Sequence, residues 1–77
     1  MVLAYILITA DSGNERQIAD KLSDTDGVDE VEVVYGDCDL IAKITVSDIS
    51  KLGDFIMDKI RTIKGVRRTS TLIAVGD

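Results

Sequence analysis

Tyr35-Gly36-Asp37-Cys38-Asp39 separates two runs that both read as β-strand, Val28 to Tyr35 and Leu40 to Val46. Gly enters positive φ without steric cost and Asp tolerates the adjoining turn positions, so Gly36-Asp37 between alternating apolar runs predicts a hairpin. Outward from this turn the chain echoes itself. A strand, a capped helix and Asp26-Gly27-Val28 lie before it; a strand, a capped helix and Lys64-Gly65-Val66 lie after it.

Val2 to Thr9 is apolar on both faces, with Val2, Ala4, Ile6 and Ile8 on one and Leu3, Tyr5, Leu7 and Thr9 on the other. Such a strand belongs in the interior of a sheet. Ser12 and Glu15 have the spacing of a capping box and predict a helix running to Leu22 or Ser23, with Ile18, Ala19 and Leu22 turned to the core. Gly27 is available for the left-handed position that ends it. From Val28 the period becomes two, placing Val31, Val33 and Tyr35 opposite Glu30, Glu32 and Val34, as in a half-exposed edge strand. Leu40, Ala42, Ile44 and Val46 predict a more buried partner. Ser47 or Asp48 caps a second helix, whose stripe of Ile49, Leu52, Phe55, Ile56, Ile60 and Ile63 follows three-and-four spacing. Val66 to Val75 is the last strand, followed by a short Gly76-Asp77 end expected to fray.

The order β-α-β-β-α-β predicts an α+β, ferredoxin-like sandwich: a four-stranded antiparallel sheet with two helices on one face. Right-handed crossovers place the first and third strands in the centre and the second and fourth at the edges. Two helices cannot cover two faces. The bare face would expose a contiguous apolar patch, and each Val, Leu or Ile buried by a second copy contributes roughly 1.5 to 3 kcal/mol. The expected assembly is therefore a homodimer with sheets face to face.

The 77 residues make one domain, residues 1–77, near the size at which a single core is only marginally sufficient. A net charge of -5 argues against direct nucleic-acid binding. Acids dominate up to Asp39, whereas Lys51, Lys59, Arg61, Lys64, Arg67 and Arg68 gather basic charge late in the chain. A single cysteine forms no internal disulfide, and the absence of His removes the usual Cys-His metal sets. Met1 to Thr9 lacks a basic leader and the length to span a bilayer, which leads us to expect a cytoplasmic protein without membrane contact.

Gly36-Asp37-Cys38-Asp39 offers carboxylates for an ammonium and turn amides for a carboxylate, a chemistry suited to a small zwitterion; a solvated hairpin tip has the same composition. Thr69 and Thr71 share a face of the last strand and can donate to a ligand, although Thr is also simply a good strand former. Asp24-Thr25-Asp26-Gly27 fails as a calcium loop, because aligning Gly27 with the obligatory glycine puts Leu22 and Val33 at ligand positions. Cys38 reads as a small turn residue. No nucleophile is paired with a base, no phosphate loop is present and no cofactor is implied, so an enzyme is not expected. An oxygenase or isomerase of the dimeric α+β barrel type shares the topology, but would need a polar group between sheet and helices, for which Tyr5 and Lys43 are poor candidates.

Taken together, the strand Leu3 to Ile8, Gly27-Val28, the Gly-x-x-Asp of Gly36 and Asp39 leading into Leu40-Ile41, the helix Leu52 to Ile63, Gly65-Val66 and Thr69-Ser70-Thr71 resemble the RAM (effector-binding) domain of Lrp/AsnC transcription regulators. The resemblance implies a domain that dimerises through its sheets, with dimers joined into an octamer-like ring and an amino-acid effector bound between dimers. Carried over by position, it implicates Gly36, Asp37, Cys38 and Asp39, with Thr69 and Thr71 as further candidates. Cys38 departs from the aromatic or His often found before that Asp. Full-length members carry an N-terminal helix-turn-helix, whereas this sequence starts at the first strand. The resemblance thus implies a stand-alone module that regulates transcription of amino acid metabolism, or an adaptor that joins full-length Lrp/AsnC-type regulators without a ligand.

Overall fold

The computed structural model describes residues 1–75; the expected Gly76-Asp77 end lies outside the described residues. Strand β1 (Val2–Ala10) is followed by helix α1 (Glu15–Ser23), strands β2 (Val28–Val33) and β3 (Leu40–Val46), helix α2 (Ile49–Phe55), a π-helical turn (Ile56–Ile60) and strand β4 (Val66–Ile73). The sheet order is β2-β3-β1-β4, antiparallel throughout. This is the expected α+β, ferredoxin-like arrangement.

Strand parity decides which residues form the core. Ala4, Ile6, Ile8 and Ala10 of β1 and Leu40, Ala42, Ile44 and Val46 of β3 are buried, and Ile18, Ala19, Leu22, Leu52 and Ile60 of the helical layer close over them. Alternate residues point to the other face, where Leu3, Tyr5, Leu7, Ile41, Lys43 and Thr45 stay half-buried. Both helices therefore lie on one side. Tyr5 and Lys43 pair across β1 and β3 on the open face, so neither stands between sheet and helices as the enzyme alternative requires.

The two halves repeat in detail. Gly27 and Gly65 have φ of 97° and 98°. Val28 N–H donates to the Thr25 carbonyl and Val66 N–H to the Ile63 carbonyl, each at 3.2 Å. Just beyond, the register slips by one residue in both halves, at Asp29 in β2 and at Arg67 in β4. The β2 bulge keeps Val28 and Val31 on the same helix-side face, although they are three positions apart.

Several boundaries differ from expectation. The Ser12–Glu15 capping box does not form: α1 starts from Asn14, without a side-chain cap, because Gly13 at φ 88° puts Ser12 in the preceding turn. The helix start is fastened elsewhere, by Asp11 N–H donating to the Gly65 carbonyl at 2.8 Å and by the Arg67–Asp11 ion pair at 3.5 Å. Strand β2 stops at Val33, two residues before Tyr35, and β4 stops at Ile73, short of Val75; both Tyr35 and Val75 are exposed. The second helix changes pitch before Ile63, with Arg61 N–H donating to the Ile56 carbonyl at 2.9 Å. The wider turn keeps Ile60 fully buried, whereas Ile49, the first helical residue, sits at the rim and is 60% exposed. Asp48, one of the two residues proposed as the second cap, accepts from Ser50 N–H at 2.9 Å and also from the Ser50 hydroxyl.

Candidate functional site

The connection between β2 and β3 is a six-residue loop, 34–39, wider than a two-residue hairpin turn. Val34 N–H donates to the Asp39 carbonyl at 2.9 Å and closes it. Asp39 then ties the loop to β1 twice: its N–H donates to the Ile8 carbonyl at 2.8 Å, and its Oδ2 accepts from Ala10 N–H at 2.8 Å. A carboxylate thus stands where a further strand carbonyl would be. Gly36 reaches φ 131°, with open space where a side chain would project, so its contribution is conformational.

Held this way, the loop leans across the open face of the sheet. Asp37 and Cys38 meet Leu7 and Thr9 of β1 and Arg68, Thr69 and Ser70 of β4 around a cleft of about 210 Å³. The register explains the company, since Thr9 faces Arg68 and Leu7 faces Ser70 across the strands. Asp39 faces away, into a separate hollow of about 450 Å³ lined by Glu15, Val33, Val34 and Tyr35.

The structure therefore brings together Asp37, Cys38 and Thr69 of the sequence-derived set. Asp39 sits at the loop base and Gly36 at its tip. Thr69 and Thr71 do share a face, opposite Ile8 and Ile6, but Thr71 lines neither cavity. Arg68, Ser70, Leu7 and Thr9 were missed by the sequence reading. Their signal was present in the alternation of β1 and β4 once those strands are neighbours, but the strands are far apart in sequence. Cys38 is a free, half-buried thiol. Among the described residues no group of three or more Cys, Asp or Glu could hold a metal ion, and no helix is long and apolar enough to cross a membrane.

The Lrp/AsnC ligand binding domain family matches residues 3–76. The chain belongs to that family. An uncharacterized HTH-type transcriptional regulator of Pyrococcus abyssi is 38% identical over 74 residues, covering 92% of this chain and 49% of that protein. The crystal structure of a hypothetical protein from Pyrococcus horikoshii is 40% identical, with a TM-score of 0.91 over 100% of this chain and 93% of that one. Escherichia coli AsnC is 27% identical, with a TM-score of 0.92 over 99% of this chain and 52% of its own. A transcriptional regulator of Neisseria meningitidis solved as an L-Met complex has the same fold, at 15% identity and a TM-score of 0.88 over 99% of this chain and 51% of its own. This Lrp/AsnC domain spans about half the length of the curated relatives it matches, which are described as HTH-type transcriptional regulators.

Proposed function

We propose that this Lrp/AsnC domain is a non-catalytic, amino-acid-sensing regulatory module. It takes an amino acid in the cleft between loop 34–39 and strands β1 and β4, and occupancy shifts its assembly in the transcriptional regulation of amino acid metabolism. The cleft carries this proposal: in a ligand-binding family, a carboxylate, a guanidinium and hydroxyls surround a space of about 210 Å³. The Neisseria regulator that shares this fold was solved as an L-Met complex, and the reading of the cleft as an amino-acid site is in keeping with that.

The open face supports self-assembly. Leu3, Tyr5, Ile41 and Leu72 lie there with no helix over them, and a second sheet would bury them while leaving the cleft beside Leu7 at its margin. The proposed unit is a cytoplasmic homodimer, with dimers joined in an octamer-like ring and no DNA-reading element among the described residues. Ligand control then requires different affinities for two assembly states.

A thermal-shift screen with the twenty common amino acids tests this directly, with Asp37→Asn as the control variant. Stabilisation by at least one amino acid in the wild type, reduced in the variant, is expected; no shift with any of them would refute the sensing role. A second proposal, a ligand-independent adaptor, draws on relatives twice as long as the matched segment. Co-assembly with a full-length regulator that ignores amino acids would favour it.

A further inference from the structure

We propose that Arg68 is the carboxylate anchor of the cleft and Asp37 its ammonium anchor, so that the site takes a free α-amino acid with an uncharged side chain. This rests on the assignment of the cleft as an amino-acid site made above.

The Arg67-Arg68 pair is split by the β4 bulge. Arg67 is the extra residue and is engaged by Asp11 at 3.5 Å. Arg68 returns to register opposite Thr9, on the open face, and lines the cleft. Asp37 lines the same cleft, yet no ion pair joins it to Arg68; the pairs among the described residues are Lys43–Glu30 and Arg67–Asp11. Two opposite charges thus border one cavity without neutralising each other, as a ligand charged at both ends requires.

Asp39 is not part of this lining: one oxygen of its carboxylate accepts the Ala10 N–H, and the residue borders the other hollow. The cleft carries one charge of each sign and matches a zwitterion of zero net charge. A planar guanidinium offers two parallel N–H donors to a carboxylate, and the Ser70 hydroxyl is within the same lining to supply a third. Leu7 and Cys38 are left to face the side chain, and neither compensates a further charge.

Calorimetric titration of the amino acid that most stabilises the wild type, alongside its α-amide and its decarboxylated amine, reads the carboxylate anchor directly. Wild type should prefer the free acid to the amide by roughly tenfold or more, the range of a charge-assisted contact. Arg68→Gln should lose that preference, Arg68→Lys should retain part of it, and Asp37→Asn should weaken the acid and the amide alike. Full affinity and full discrimination in Arg68→Gln would overturn the anchor while leaving amino-acid binding intact. Failure of the wild type to bind any amino acid would overturn both. If Arg68→Gln bound normally but changed the sedimentation profile, Arg68 would be an interface residue and the anchor would again be overturned.

Discussion

The Asp39 carboxylate accepts the Ala10 N–H at 2.8 Å and so continues the β1–β3 ladder past Leu40, where β3 begins. Without it, a partly buried amide at the end of the central strand has no protein acceptor. Asp39→Ala should therefore destabilise the fold by about 1 to 3 kcal/mol, the cost of leaving such a donor unsatisfied, and Asp39→Asn, which keeps an acceptor oxygen, by less. Chemical denaturation measures the difference, and faster hydrogen exchange at Ala10 locates it. Unchanged stability in Asp39→Ala would remove Asp39 from its structural role. Asp37 is accordingly the cleaner residue for binding experiments.

Gly27 and Phe55 are in closer contact than any other residue type would permit. A Cβ at Gly27 would stand 2.6 Å from Phe55 Cε2, and the backbone there has φ of 97°. Gly27→Ala is expected to cost about 1 to 3 kcal/mol from the left-handed backbone alone, with a further penalty from the ring. Phe55→Leu in the same chain should recover the ring's share and leave the backbone's. A double-mutant cycle by urea denaturation reads that coupling, and strictly additive losses would show that the ring had simply moved aside.

Much of this architecture was legible because local signals agreed with one another. The alternation in β3 and the double-sided apolar run of β1 are strong patterns, and Gly27 and Gly65 mark equivalent ends of the two halves. What escaped depended on neighbours distant in sequence. Ser12 looked like a cap, but Gly13 bends the chain so that Asn14 takes that position, and the loop is held by contacts to Gly65 and Arg67. That Asp39 also accepts the Ala10 N–H could not be read from a sequence in which the two residues lie 29 positions apart. Arg68 looked like an ordinary surface charge because its partner across the cleft, Asp37, lies on a loop that only the fold brings near.

The cap of α2 makes stability depend on pH. The Ser50 hydroxyl bonded to Asp48 holds its carboxyl below the ordinary value of 3.8, aided by the N–H groups of Ser50 and Lys51 and by the Lys51 charge. A folded-state pKa below the unfolded one means that this contribution is fully present above about 3.8 and is lost as pH falls through the lower, folded value. Asp48→Asn should therefore show its largest stability deficit at neutral pH, with the gap to wild type closing in acid. Thermal melts of both proteins across the acid range measure this, and a gap independent of pH would show that the ionised cap contributes nothing.

Tyr5 stands at the centre of the open face, opposite Lys43 on one side and Leu72 on the other. The core lies on the reverse side of the sheet, so a change at Tyr5 tests association with little direct effect on packing within the protomer. Lys43 is engaged by Glu30 at 3.7 Å, so Tyr5→Lys adds an ammonium with no such partner beside it and would bury that charge in a face-to-face dimer, at a cost of several kcal/mol. Wild type should sediment as a dimer or larger at micromolar concentration, with a melting temperature that rises with protein concentration. Tyr5→Lys should sediment as a monomer with the same far-ultraviolet circular dichroism and a lower, concentration-independent melting temperature. A wild-type monomer would remove the assembly on which ligand control was built, whereas a variant that still associated would place the interface on another surface, with the edge strands β2 and β4 the next to be mutated.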